Sequence, residues 1–243
     1  VSLVSAVGDD SNGEFLLDRC RALGMDVSRV RVVPGARSSS YLYITDERGD
    51  MQLAVNDMAV CNEISPEYLE DVLPGIQAGA LVLDTNLPVE SLEFICRSSY
   101  IPLYADPVSS VKAMKLHGVM KHLRAIKPNA LEAAALTGQT DPELAARALI
   151  DAGVQRVFIS LGTNGMIAAE GSRVLRMPSP EANVVNATGA GDAAMSAIVW
   201  ADLHGLSLED SARAAQLAGA ITCASEESNA PELSRLPGLL AAE

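Results

Sequence analysis

The sequence predicts an α/β fold, a mostly parallel sheet covered by helices on both faces. Two patterns carry that expectation. Short aliphatic runs alternate with helix-like segments along the chain. The runs are continuously apolar, as in strands buried on both sides. The 243 residues are 49% hydrophobic and 4% aromatic, enough for one large aliphatic core. A formal charge of −13 argues against a nucleic-acid partner, since such binders present a basic face. No apolar run is long enough to cross a bilayer and no signal peptide is visible, so no membrane partner is expected. Cys20, Cys61, Cys96 and Cys223 lack metal-ligand spacing and read as reduced thiols of a cytoplasmic protein.

Each element can be justified in order. Residues 1–7 read as a buried strand closed by Gly8-Asp9-Asp10. Ser11 or Asn12 can cap a helix to about Leu23, with Phe15, Leu16, Cys20 and Leu23 as its apolar face. Residues 30–33 form a strand. Residues 39–45 and 51–55 flank the turn Asp46-Glu47-Arg48-Gly49-Asp50, a rather polar hairpin suited to a lid or an edge. Ser65-Pro66-Glu67 starts a helix. Strands follow over residues 80–84, 101–105, 123–126 and 157–161. Helices over 88–98, around Lys112, over 130–136 and from Asp141 to Gly153 join them. Residues 166–169 and 173–176 make a last hairpin. Ser207-Leu208-Glu209-Asp210 opens a helix to about Cys223, and a short helix follows Pro231. In such sheets ligands bind beyond the carboxyl ends of the strands, where Asn86, Asp106, Asn129 and Gly162 lie.

The strongest local signal is Asn186-Ala187-Thr188-Gly189-Ala190-Gly191-Asp192. The β-branched pair Val184-Val185 precedes it, and the apolar run 193–200 follows. A helix that opens there has first-turn N–H groups without partners and the positive end of its dipole. Three tiny residues let an anion approach those amides. Asp192 is expected to stay ionised, because nearby N–H donors favour the charged form. Such a carboxylate can take a proton from a hydroxyl while the amides hold a transferring phosphoryl group. No Walker-type Gly-Lys-Ser/Thr occurs, so this is not a P-loop chain. Asn129 and Glu132 are spaced as a helix cap and its partner three residues on, the pattern of an ordinary capped helix.

The 186–192 stretch resembles the signature of the ribokinase-like (PfkB) carbohydrate kinases, of the form Asp/Asn-x-x-Gly-Ala-Gly-Asp. The likeness runs over nearly the whole chain. It implies a ribokinase-like three-layer α/β/α sandwich, with residues 1–243 as one kinase domain and a small β lid at about 38–58. It implies Asp192 as the base and Gly189, Ala190 and Gly191 as the anion hole. Glu132 and Asn129 would help hold Mg²⁺ through water. Asn129, Ser160, Gly162, Asn164, Gly165 and Gln216 would line the ATP site. Asn186 and Thr188 align with monovalent-cation ligands of some relatives, with Asn where Asp is usual.

Looser motifs resemble the branch of that family that phosphorylates pseudouridine. They are Arg37-Ser38-Ser39-Ser40-Tyr41-Leu42, Asn56-Asp57-Met58, Asp84-Thr85-Asn86, Asp106-Pro107-Val108-Ser109 with Lys112, and Lys127-Pro128-Asn129 with Leu131-Glu132-Ala133. They imply transfer to the ribose 5′-hydroxyl, with Ser39, Asn56, Asn86, Asp106 and Lys112 on the substrate side. A ribose or fructose kinase, a kinase of another nucleoside and a non-catalytic nucleotide-binding protein stay open as alternatives. Family members carry a section with a substrate-binding Asp and a Gly-Gly pair ahead of the strand that opens here, and this sequence does not contain it. In the family the hairpin can pair with a second copy, which implies a homodimer.

Overall fold

The computed structural model describes residues 1–45 and 51–241. Its contacts divide it into two compact units, Val1–Gln77 with Asn86–Ser98, and Ala78–Thr85 with Ser99–Glu243.

In the first unit β1 (Ser2–Gly8) and β2 (Asp26–Val33) pair in parallel around α1 (Ser11–Ala22). The cap of α1 is Asp10, not Ser11 or Asn12. Its carboxylate accepts from the Ser38 hydroxyl at 2.6 Å, the Ser38 amide at 2.9 Å and the Gly13 amide at 2.8 Å. Those bonds, the Ser38 hydroxyl first, hold its pKa down at about 2. The expected apolar face also differs. Phe15, Leu16 and Leu23 are exposed, and Leu17 and Gly13 are buried. A Cβ on Gly13 would stand 2.3 Å from the Gly8 carbonyl oxygen, so α1 docks through close backbone approach rather than an apolar stripe.

The hairpin is present as β3 (Ser40–Thr45) and β4 (Met51–Asp57), and its expected turn at 46–50 lies outside the described residues. Leu42, Ile44, Leu53 and Val55 are exposed on it, so its strands are less polar than the turn suggested. α2 (Pro66–Val72) starts on Ser65, whose hydroxyl accepts from the Tyr68 amide. α3 (Val89–Ser98) buries Leu92, Ile95 and Cys96. Burial pushes the Cys96 thiol up to about 11, which leaves it unreactive.

The second unit is built on a six-stranded sheet in the order β10-β9-β8-β7-β6-β5. β5 (Leu81–Asp84), β6 (Leu103–Asp106), β7 (Leu123–Ile126) and β8 (Arg156–Ser160) run parallel. β9 (Met166–Glu170) and β10 (Arg173–Met177) add an antiparallel edge. β1 and β2 pair with each other and not with this sheet. The connecting helices are α4 (Ser110–Ala113), α5 (Ala130–Thr137) and α6 (Pro142–Asp151), followed by α7 (Ala190–Leu203), α8 (Leu208–Cys223) and α9 (Leu236–Ala241).

One face of the sheet packs Tyr104, Phe158, Met166 and Ala168 against Met195 and Ile198 of α7 and Leu208, Ala212 and Ala215 of α8. Ala193, Ala197 and Ala201 meet Ala214 and Ala218, small side chains that let α7 and α8 approach closely. On the other face α6 covers β8 and β9, and α5 covers β8. The result is three layers, α/β/α, in which the carboxyl ends of four parallel strands point one way. The end of α7 away from its signature is fixed by Asp202. Its carboxylate takes two bonds from Arg124, at 2.6 and 2.7 Å, one from Arg156 at 3.0 Å and one from the Tyr104 hydroxyl at 2.5 Å. Val184 and Val185 form no strand and are exposed. No helix among the described residues is long and apolar enough to cross a membrane.

Candidate active site

Helix α7 opens after Gly189, which has a φ of 87°. A Cβ there would stand 2.3 Å from the Ser228 carbonyl oxygen, so only glycine lets the turn close against the chain beyond α8. The amides of Val185 and Asn186 both donate to the Cys223 carbonyl, at 2.7 and 3.1 Å. The Asn186 side chain donates to the Glu226 carbonyl and accepts from the Thr188 amide. Asn186 is thus a clamp on its own loop. The Ala190 amide turns back to the Ala187 carbonyl at 3.3 Å. The amides of Gly191 and Asp192 fall in the first turn, where a helix supplies no acceptor of its own. They are better placed to hold an anion than the Ala190 amide.

Asp192 is the third residue of α7 and open to solvent. Its carboxyl is raised, where the sequence led us to expect it held in the charged form. Desolvation is the largest cause, Asp106 and Asp84 add repulsion, and Lys127 opposes them. The neighbours come from the strand ends. β5 and β6 end on Asp84 and Asp106, which stand side by side in register. Lys127 follows β7 directly and is 5% exposed. Its Nζ lies 3.0 Å from Asp106 Oδ2, and a Cβ on Gly191 would lie 3.4 Å from that Nζ. Asp106, expected on the substrate side, gives its other oxygen to the Val108 amide at 3.0 Å. Val108 adopts a φ of 63°, a conformation that β-branched residues seldom take.

Asn129 and Glu132 form a capping box on α5. The Asn129 side chain accepts the Glu132 amide, and Glu132 Oε2 accepts the Asn129 amide, both at 2.9 Å. Glu132 is buried, and burial raises its carboxyl, with the Asn129 amide and Lys127 opposing and Asp106 reinforcing. A backbone bridge joins Asn129 to Ser160, which brings the glycine loop beside the start of α5. Gly162 and Asn164 are exposed there. A Cβ on Gly165 would meet the Met177 carbonyl oxygen at 1.9 Å, so packing against the end of β10 already demands that glycine. Gln216 is half-buried on α8, one turn before Gly219, whose Cβ would lie 3.6 Å from the Ala190 carbonyl. Lys112 is half-buried in α4.

These residues all belong to the second unit. Ser39, Asn56 and Asn86 belong to the first. Ser39 Oγ lies 3.6 Å from Cys61 Sγ, Asn56 is exposed near the end of β4, and Asn86 is half-buried. Asp84 and Lys127 carry charge at the centre of the site but received no role from the sequence. Beyond the motifs that contain them, their signal was position, at or just past the end of a parallel strand.

A divalent ion can be tested against these donors. Among the described residues no three His, Cys, Asp or Glu side chains gather as a metal cage. Glu132 offers one buried carboxylate with one oxygen given to Asn129. That set fits Mg²⁺ held largely by its own waters, not a cage of carboxylates.

Residues 1–235 match the pfkB family of carbohydrate kinases. The chain is 35% identical over 240 residues to the pseudouridine kinase of Escherichia coli strain K12, spanning 96% of this chain and 77% of that one. In fold it is similar to the ribokinase of Thermotoga maritima, with a TM-score of 0.87 and 21% identity over 99% of this chain and 81% of that chain. It is also similar in fold to an E. coli protein whose crystal structure is in complex with ATP and Mg²⁺. There the TM-score is 0.85 and the identity 19%, over 100% of this chain and 83% of that chain.

Proposed function

The chain belongs to the pfkB family of carbohydrate kinases, and on that premise we propose that it transfers phosphate from ATP to the ribose 5′-hydroxyl of pseudouridine, giving pseudouridine 5′-phosphate. The observation that carries the reading is Asp192, open to solvent at the mouth of α7 beside the Gly191 amide and the strand-end charges.

Asp192 takes the proton of the attacking hydroxyl. Its raised carboxyl brings its basicity closer to that task than an ordinary Asp would have. The amides of Gly191 and Asp192, at the positive end of the α7 dipole, meet the charge on the transferring phosphoryl group. Mg²⁺, held through water by Glu132 with Asn129 behind it, would supply neutralising charge at the phosphates. Ser160, Gly162, Asn164, Gly165 and Gln216 are the residues we assign to ATP, and Lys112 to the acceptor. Family likeness alone speaks for Ser39, Asn56 and Asn86 as acceptor contacts.

The choice of pseudouridine rests on the 35% identity to the E. coli enzyme. A coupled ATP assay over pseudouridine, uridine, ribose and fructose tests it. We expect kcat/KM to be highest for pseudouridine. Turnover of ribose or fructose with none of pseudouridine would overturn the substrate, and no turnover of any acceptor would overturn the kinase.

A further inference from the structure

A lysine ammonium taken out of water is costly unless it is paired, and a buried ion pair adds little net stability over apolar packing. Lys127 and Asp106 form such a pair, with side chains 6% and 19% exposed. The fold goes to some length to keep it. Asp106 is fixed from behind by the Val108 amide, and Val108 itself holds a φ of 63° in a tight turn that the Ser109 amide closes on the Pro107 carbonyl at 2.6 Å. Strain of this kind persists only where the surroundings impose it, and it gathers at functional sites. The Lys127 backbone is tied as well, its amide donating to the Ala105 carbonyl at 3.1 Å.

The ammonium is not aimed only at Asp106. A Cβ on Gly191 would come within 3.4 Å of Nζ, so the charge lies against the very turn whose amides face the phosphoryl group. Around it are the carboxylates of Asp106, Asp192 and Glu132, with Asp84 beside Asp106 in register. A phosphoryl group brings more negative charge to the same place. Without a fixed cation that crowd of anions would push both the base and the phosphates outward.

We infer that Lys127 is a positioning residue for phosphoryl transfer. Braced by Asp106, its ammonium underlies the Gly191 turn, strengthens the amides there and keeps Asp192 among neighbouring carboxylates in place for the hydroxyl. The inference rests on the kinase reading above. A purely architectural clip between β6 and β7 is the rival account, and it predicts a different behaviour when both partners are removed.

The test uses the whole chain, saturating ATP and Mg²⁺, and whichever acceptor the wild type turns over best. Lys127→Met keeps the length of the stem and removes the charge. Asp106→Asn with Lys127→Met removes the pair without leaving a lone buried carboxylate. For Lys127→Met we expect kcat to fall about a hundredfold, with KM for ATP and acceptor within about threefold. We expect kcat of the double variant to stay as low while its thermal midpoint returns toward wild type. Wild-type kcat in the double variant would make the pair a clip and overturn the inference. So would an unchanged kcat in Lys127→Met. If Lys127→Met does not fold, the double variant decides by the same criterion. A wild type inactive on every acceptor would instead overturn the kinase reading, and the inference with it.

Discussion

Gly189→Ala is the sharpest single perturbation of the signature turn. The new methyl would stand 2.3 Å from the Ser228 carbonyl oxygen, while ordinary contact begins at 3.4 Å. The difference, 3.4 − 2.3, is about 1.1 Å, and either the turn or the chain beyond α8 must move by that much. The neighbour is backbone and cannot swing aside as a flexible side chain would. The φ of 87° adds roughly 1–2 kcal/mol for any residue with a side chain. A displacement near 1 Å at the Gly191 and Asp192 amides costs about a hundredfold in rate. Gly171 supplies the internal control, with a φ of 55° and nothing within 4 Å of its Cβ. We expect Gly189→Ala to lose about a hundredfold in kcat in the coupled ATP assay and Gly171→Ala to lose only stability, read by urea unfolding. Wild-type kcat in Gly189→Ala would refute the argument that this turn places the phosphoryl-binding amides.

Other outcomes follow from the same geometry. Asp202→Ala leaves Arg124, the buried Arg156 and the Tyr104 hydroxyl without their shared acceptor, and should cost about 3–5 kcal/mol in urea unfolding. A loss below about 1 kcal/mol would show the network to be dispensable. The pH dependence has a definite sign. Asp192 must be ionised to accept a proton, and its carboxyl is raised above the ordinary 3.8, so kcat/KM should fall on the acid side through a value above 3.8. Lys127 opposes that rise, so in Lys127→Met the acid limb should move to still higher pH. Movement toward lower pH would contradict the assignment of charges.

Much of this was legible in the chain because the deciding interactions are local. The caps at Ser65, Asn129, Asp141 and Ser207 act within three residues of themselves, and each helix starts where its cap predicts. The continuous aliphatic runs announced the parallel strands, and the 186–192 stretch announced the α7 mouth. What was hidden depends on residues far apart in the sequence. Asp10 outcompetes Ser11 as a cap because Ser38 also binds it. The α1 face could not be read from Phe15 and Leu16, since contact runs through Gly13. Periodicity cannot tell that β1 and β2 pair in a two-stranded sheet of their own, because a strand's pattern does not name its partner strand. The upward direction of the Asp192 shift was hidden for the same reason. Its helix favours the anion, but desolvation and the carboxylates of Asp106 and Asp84 at two strand ends outweigh it, and Lys127 only tempers them.

Asp192→Asn, assayed for turnover and for ATP binding in the same preparation, tests the account most directly. A carboxylate raised in the folded state disfavours folding at pH values above its titration, so removing it should leave stability at pH 7 equal or higher. We predict a loss of roughly a thousandfold in kcat with ATP affinity within a few fold of wild type. Turnover near the wild-type rate in a folded Asp192→Asn variant would contradict Asp192 as the base.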